Sequence, residues 1–154
     1  MAYLNDTSIL GRLGNTGDPL NTVATQAVAI LHRRNEMLHT TAQNLVEYRN
    51  MATRPIAVNG LGFSCAEAEA DIRRFEAQFP LLEETPDIYR AWKTLVEAAG
   101  VMGKQVHDAR LVAVCHVYGI LHILTFNVNH FTRLASFAPG IIVVDPTTLV
   151  MPQP

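Results

Sequence analysis

Three carboxylates and two polar neighbours stand out by where they fall in the chain. Asp6 lies in "LNDTSIL", directly after a short apolar run, with Thr7 and Ser8 behind it. Glu47 lies in "TAQNLVEYRNMATRP", and Asp108 opens the apolar stretch "QVHDARLVAVCHVYG". Thr125 and Asn127 stand at the end of "ILHILTFN". Carboxylates that converge on one point repel each other unless a cation neutralises them, so a shared location would mean cation chemistry. Each residue also has a plain alternative. Asp6 can cap a turn or helix, Glu47 can be a solvated helix residue, and Asp108 can be an acid favourable to a helix dipole. Thr125 and Asn127 can cap the helix that follows them.

The elements that carry these residues alternate between short apolar runs and amphipathic segments. "AYLN" reads as a strand ending at Asp6. Asp18 as a cap and Pro19 at the first helical position open a helix with a stripe of Val23, Ala27, Ile30 and Leu31. "EMLHTT" reads as a second strand. The helix bearing Glu47 must finish before Pro55. Ser64 and Glu67 form a capping box for a helix with Ala68, Ile72, Phe75 and Phe79 on one face. "PLLEE" is a short strand candidate, and Thr85–Pro86 opens a helix with a stripe from Ile88 to Ala99. The helix bearing Asp108 stops at Gly119, a natural residue for that role. Ile120–Phe126 and Ile141–Pro146 read as buried strands.

Near-continuous runs such as "HILTF" and "IIVV" suit strands covered on both faces. The expected architecture is therefore α/β: a three-layer α/β/α domain with a mainly parallel central sheet of about five strands. It should occupy residues 1–146, with residues 147–154 a loosely held, Pro-containing tail. In such a sheet, ligands bind at the carboxyl ends of the strands, where Asp6, Thr125 and Asn127 fall and where the helix of Asp108 approaches.

The chain has 154 residues, 49% hydrophobic and 17% charged, enough for a sizeable core and poor in charge for a free-standing surface. The net charge of −2 gives no general attraction to nucleic acid, so such a partner must meet a local basic patch. No apolar run is long enough for a membrane span, and no secretory leader is expected from "MAYLNDTSIL". Cys65 and Cys115 read as buried free thiols in a reducing cytoplasm.

Taken in order, "LNDTSIL", "TAQNLVEYRNMATRP", "VHDARLVA" and "ILTFNVNHF" resemble the PIN-domain ribonucleases, including VapC-type toxins, over about Tyr3 to Val144. The resemblance implies that Asp6, Glu47 and Asp108 bind a divalent cation. It implies that Thr7 and Thr125 are supporting hydroxyls and that Asn127 stands where many members have a fourth acid. Oxygen donors without a Cys or compact His set favour Mg²⁺ or Mn²⁺ over zinc. Such an ion orients the scissile phosphate, activates an attacking water and stabilises the leaving oxygen. The implied activity is that of a metal-dependent endoribonuclease hydrolysing RNA phosphodiester bonds, the toxin component of a toxin–antitoxin pair. A cognate antitoxin and a homodimer are the implied protein partners.

Two departures bear on this. Asn127 is neutral, and His130 precedes Phe131 where an acid is frequent, so a second ion should be held more weakly. His130 is expected to cap the terminal helix, with contact to phosphate or a base as its other role. His107 should be exposed or peripheral to the site, and His116 and His122 should be core residues. Arg12, Arg49, Arg54, Lys104, Arg110 and Arg133 are candidates for a basic rim that holds the RNA backbone. The "NGLGF" loop, with Phe63, Phe75 and Phe79, is a candidate contact surface, although Phe75 and Phe79 alone suit the core better.

Other classes fit less well. Aspartyl phosphotransferases usually show Asp-x-Asp after the first strand, and here that position is Ser8. A receiver-type phospho-acceptor would want a Lys in the "LTFNVNHF" region, which has none. The alternative within the resemblance is a catalytically degenerate PIN-like module for interaction or RNA binding.

Overall fold

A computed structural model describes residues 1–151 of the chain. Its centre is a five-stranded sheet ordered β3-β2-β1-β4-β5, with every neighbouring pair parallel. The strands are β1 (Ala2–Asn5), β2 (Met37–Thr41), β3 (Leu81–Leu82), β4 (His122–Leu124) and β5 (Ile142–Val144). β1 lies in the middle, with Leu4 paired to His39 of β2 on one side and to Ile123 of β4 on the other. The period of two along β1 divides the core. Tyr3 joins Leu38, Leu124, Tyr48, Phe75 and Phe79 on one face. Leu4 joins Ile123, Ile88, Leu111, Val112 and Phe131 on the other. Both faces of β1 and β4 are covered, which suits the apolar run of β4. The expected burial of Ile141–Pro146 is corrected: β5 is an edge strand, with Ile142 exposed and Val143 and Val144 half-buried.

The helices are α1 (Thr7–Leu13), α2 (Asn21–Arg33), α3 (Ala42–Thr53), α4 (Cys65–Gln78), α5 (Pro86–Ala99), α6 (Gln105–Tyr118), α7 (Val128–Ala135) and α8 (Pro146–Val150). The capping box of Ser64 and Glu67 opens α4 as expected, a device worth about 1 kcal/mol. Pro86 stands in the first turn of α5, and Gly119 ends α6 in the left-handed conformation at φ 65°. α3 is opened by a capping box of Thr41 and Asn44 that the sequence reading passed over.

Several expectations are corrected. Residues 7–13, given no element above, form α1, capped by Asp6 through the Thr7 amide. Asp18 caps no helix. It accepts from Leu20 N in a turn that holds Pro19, and α2 starts at Asn21. The buried face of α2 is Ala24, Ala27, Val28 and Leu31, with Val23 and Ile30 only half-buried. Cys65 is exposed, while Cys115 is a buried free thiol. His116 is exposed, and His122 is half-buried and stacked on Tyr3 at 4.7 Å between ring centroids. Phe75 and Phe79 are core, as suited those two, and Phe63 packs partly buried against them, so the three do not form an exposed aromatic face.

The loose tail is also corrected where it is described. Asp145 accepts from Thr147 N at 2.9 Å and caps α8, which packs on α2. The remainder of that expected tail, 152–154, lies outside the described residues. Among the described residues, no helix is long and apolar enough to cross a membrane.

Candidate active site

The strand order reverses direction of travel between β1 and β4, and open parallel sheets form their ligand crevice at such a point. Asp6 follows β1 there, and Thr125 follows β4. Asp6 is almost fully buried, at 3% exposure. Its Oδ1 accepts from Thr7 N at 2.7 Å. Its Oδ2 accepts from Ser8 Oγ at 2.6 Å, Thr125 Oγ1 at 2.8 Å and Asn127 Nδ2 at 3.5 Å. Burial raises the Asp6 pKa above the ordinary carboxylate value, and the Ser8, Thr125 and Thr7 hydrogen bonds pull against it. Asp6 thus caps α1 and stands at the carboxyl end of β1 beside that of β4, so its two readings are not exclusive.

The second acid comes from α3. Thr7 Oγ1 donates to Glu47 Oε2 at 2.6 Å, and Asn44 Nδ2 donates to Thr7 Oγ1 at 3.1 Å. Gln43 Nε2 donates to Glu47 Oε1 at 2.8 Å. Thr7 therefore joins the Asp6 segment to Glu47 directly.

The third acid, Asp108, lies in the first turn of α6. Its pKa is raised to about 6, by burial first and then by the negative charges of Asp6 and Glu47, with His130 opposing. That coupling brings all three predicted acids within electrostatic reach of one another. His130 Nδ1 stands 3.6 Å from Asp108 Oδ2. His130 is thus no cap for α7; it is a largely exposed imidazole beside the third acid. Asn127 precedes α7 at its N-cap position without a side-chain cap bond, and its amide turns toward Asp6.

Ser8, Gln43 and Asn44 were absent from the expected site. Gln43 was findable: it stands one helical turn before Glu47, the spacing at which helical side chains meet. Ser8 also carried a signal, since a hydroxyl two residues after an Asp commonly folds back on it. Asn44 carried none without the crossing of α3 and α1.

Whether these residues fit a divalent cation turns on their charge and donors. Among the described residues, no Lys or Arg forms an ion pair with Asp6, Glu47 or Asp108. The acids form an uncompensated negative cluster made of hard oxygen donors. Among the same residues, no group of three or more His, Cys, Asp or Glu side chains closes tightly enough to cage an ion alone. Mg²⁺ needs no such cage, because it usually binds through one or two carboxylates and keeps several waters. The hard oxygen donors of Asp6, Glu47 and Asp108 therefore fit the chemistry of Mg²⁺ or Mn²⁺.

The expected basic rim is largely engaged within the protein. Arg12 Nε lies 3.3 Å from Asp18 Oδ2, and its guanidinium sits 5.9 Å from the Phe126 ring centroid. Arg49 pairs with Glu69 at 3.0 Å, and Arg110 pairs with Glu84 and donates to Gln43 Oε1 at 3.2 Å. Arg54 donates to Asn59 O at 3.2 Å. Arg133 donates to Gln105 and to Ala99 O, and Lys104 is exposed. His107 is exposed, and its carbonyl accepts from Gln43.

A parallel α/β sheet with a carboxylate cluster at its switch point defines the class. The PIN domain family model matches residues 3–136, and the chain belongs to that family. No curated protein matches the chain in sequence. Similar solved structures include VapBC2 from Rickettsia felis bound to a promoter DNA fragment, with a TM-score of 0.68 and 15% identity over 94% of this chain and 98% of that one. VapC20 of Mycobacterium tuberculosis, a sarcin-ricin loop cleaving toxin, gives a TM-score of 0.62 and 22% identity over 84% of this chain and 93% of that one. PAE2754 from Pyrobaculum aerophilum gives 0.60 and 24% over 97% of this chain and 96% of that one. The expected mainly parallel sheet of about five strands is borne out as five strands, all parallel, in a fold this chain shares with VapC toxins.

Proposed function

We propose that this chain is a divalent-metal-dependent endoribonuclease acting in the cytoplasm as the toxin of a toxin–antitoxin pair. The observation that carries this is the uncompensated cluster of Asp6, Glu47 and Asp108 at the β1–β4 switch point of a PIN domain. Mg²⁺ or Mn²⁺, when bound, would supply Lewis-acid stabilisation of the phosphate and acidify a water for attack. Asp6, Glu47 and Asp108 would hold the charge that retains the ion. Thr125, Ser8 and Asn127 orient Asp6, and Thr7 orients Glu47. His130, exposed beside Asp108, would be free to meet a phosphate there. Arg12, Arg49 and Arg54 can grip the RNA backbone only by exchanging their present partners for phosphates, and Arg110 is held by Glu84 and Gln43, so the electrostatic part of RNA binding should be weak.

The antitoxin and homodimer readings rest on the likeness to VapBC proteins and on apolar side chains left at the surface. Ile56 and Val58 are 77% and 55% exposed on a single 3₁₀ turn. The test is incubation of the purified, partner-free chain with total RNA and Mg²⁺ or Mn²⁺, beside an EDTA control. Cleavage abolished by EDTA supports the reading; intact RNA from folded protein counts against it.

One observation favours a second reading, a catalytically degenerate PIN-like module for interaction or RNA binding. Both Glu47 oxygens already accept hydrogen bonds, and by the resemblance Asn127 stands where many members of the family carry a fourth acid. RNA retained without cleavage would support that module.

A further inference from the structure

On the reading of the site as a divalent-cation centre, we propose that Gln43 is a positioning residue for Glu47. Its amide fixes the Glu47 carboxylate beside the first turn of α6, and Arg110 fixes the amide.

The geometry is specific. Gln43 Nε2 donates to Glu47 Oε1 at 2.8 Å and to the His107 carbonyl at 2.9 Å. One NH₂ group therefore ties the α3 acid to the residue just before Asp108. Gln43 Oε1 accepts from Arg110 Nη1 at 3.2 Å. These partners leave one orientation for the amide, because a flip would set its oxygen against two acceptors and its NH₂ against a guanidinium. Arg110 is in turn held by both oxygens of Glu84. Thr7 Oγ1 holds the opposite Glu47 oxygen, so the carboxylate is clamped from both sides.

The chemistry explains why an amide suits this place. A Lys would neutralise Glu47 and compete with a cation, and a Glu would repel it. Gln donates two hydrogen bonds without net charge, so Glu47 keeps its full negative charge and loses its freedom to turn. Arg110, whose charge is met by Glu84, can orient the amide without cancelling the acids. Residues of this kind, one step out from a metal ligand, commonly change metal affinity when removed.

The test is calorimetric titration of Mn²⁺ into the EDTA-stripped full chain, for wild type, Gln43→Met, Glu47→Gln and the double variant. Gln43→Met is expected to weaken Mn²⁺ binding by about 10-fold and to add nothing in the Glu47→Gln background. In RNA cleavage at fixed metal, kcat is expected to fall while KM stays within about twofold. Unchanged Mn²⁺ affinity in Gln43→Met, or an equal loss in the Glu47→Gln background, overturns the proposal. If Gln43→Met does not fold, Arg110→Met replaces it; a smaller loss of affinity is expected, and wild-type affinity overturns the proposal. Folded wild type that binds no Mn²⁺ overturns the cation-centre reading itself, and this proposal with it. Tight wild-type binding with an unaffected variant removes only the role of Gln43.

Discussion

Thr125 donates a 2.8 Å hydrogen bond to Asp6, joining the ends of the neighbouring strands β4 and β1 inside the core. The same Thr125 oxygen accepts from Asn127 N at 2.9 Å, so one hydroxyl sets both the acid and the start of α7. Thr125→Val keeps the shape and removes both functions. It should cost about 1–3 kcal/mol of stability, the usual penalty for leaving a buried polar group short of a partner. Losing that donor also raises the Asp6 pKa further, so metal-dependent cleavage should shift to higher pH. Thermal denaturation and a pH–rate profile check this; an unchanged profile would show that Thr125 does not tune Asp6.

Asp108 makes a prediction of opposite sign for stability. Its folded pKa, about 6, lies above the unfolded carboxylate value. A group raised in this way stabilises the fold at low pH and loses that contribution as pH rises through about 6. The metal-free protein should therefore weaken between about pH 4 and 6 on account of this group. Asp108→Asn should raise the stability of metal-free protein at pH 8 by about 1–3 kcal/mol, while abolishing metal-dependent activity. Denaturant melts at pH 5 and pH 8 check it; a variant less stable than wild type at pH 8 would contradict it.

Metal binding by the same carboxylate should show the matching pH dependence. The ion must displace a proton from Asp108 at low pH, so Mn²⁺ affinity should rise as pH climbs through about 6 and then level off. Calorimetry at several pH values measures this. A flat affinity from pH 5 to 8 would exclude Asp108 as a ligand.

A glycine at the end of α1 tests the packing beneath the site. A Cβ on Gly14 would overlap the Tyr48 hydroxyl, and Tyr48 cannot retreat because it is fully buried and bonded to Asp71. Gly14→Ala should cost about 1–3 kcal/mol, as other overpacked sites do. Tyr48→Phe should restore part of the loss in the double variant. Chemical denaturation checks both; an additive double variant would mean that the two residues do not meet.

The fold was legible in the sequence where pattern and punctuation agreed. "HILTF" is apolar without alternation and forms the covered strand β4, whereas "IIVV" forms the edge strand β5, whose apolar run overstated its burial. Ser64–Glu67 and Thr85–Pro86 mark helix starts by their own chemistry, and both stand where expected. α1 escaped because seven residues interrupted by Gly11 carry no readable stripe. α8 escaped because five residues are too few to carry a stripe, although Asp145–Pro146 is a helix-start signal. His116 was misplaced because α6 buries consecutive residues from Leu111 to Cys115, so its pattern does not show which face is outside.

The candidate site was legible as a set of residues and not as a network. Asp6 and Thr125 were readable as strand-end residues of a parallel sheet. The hydrogen bonds from Gln43 to the His107 carbonyl and from Asn44 to Thr7 depend on how α3 meets α6 and α1, which no local spacing encodes. The pairing of Arg49 with Glu69, a residue on α4, was hidden in the same way.

That pairing yields a prediction about RNA. Glu69→Gln should release Arg49, two residues from Glu47, and steepen the salt dependence of RNA binding by about one unit of log–log slope. Arg49→Ala should leave the slope at or below the wild-type value. Filter binding across a salt series measures both; equal slopes in wild type and Glu69→Gln would remove Arg49 from the RNA surface.

The most direct measurement is cleavage of total RNA by the purified, partner-free chain with Mg²⁺ or Mn²⁺, with EDTA and with Asp6→Asn and Asp108→Asn alongside. The expected result is cleavage that needs the ion and is lost in both variants while all proteins remain folded. Intact RNA in every lane, or equal cleavage by wild type and variants, would contradict a catalytic metal centre at the β1–β4 switch point.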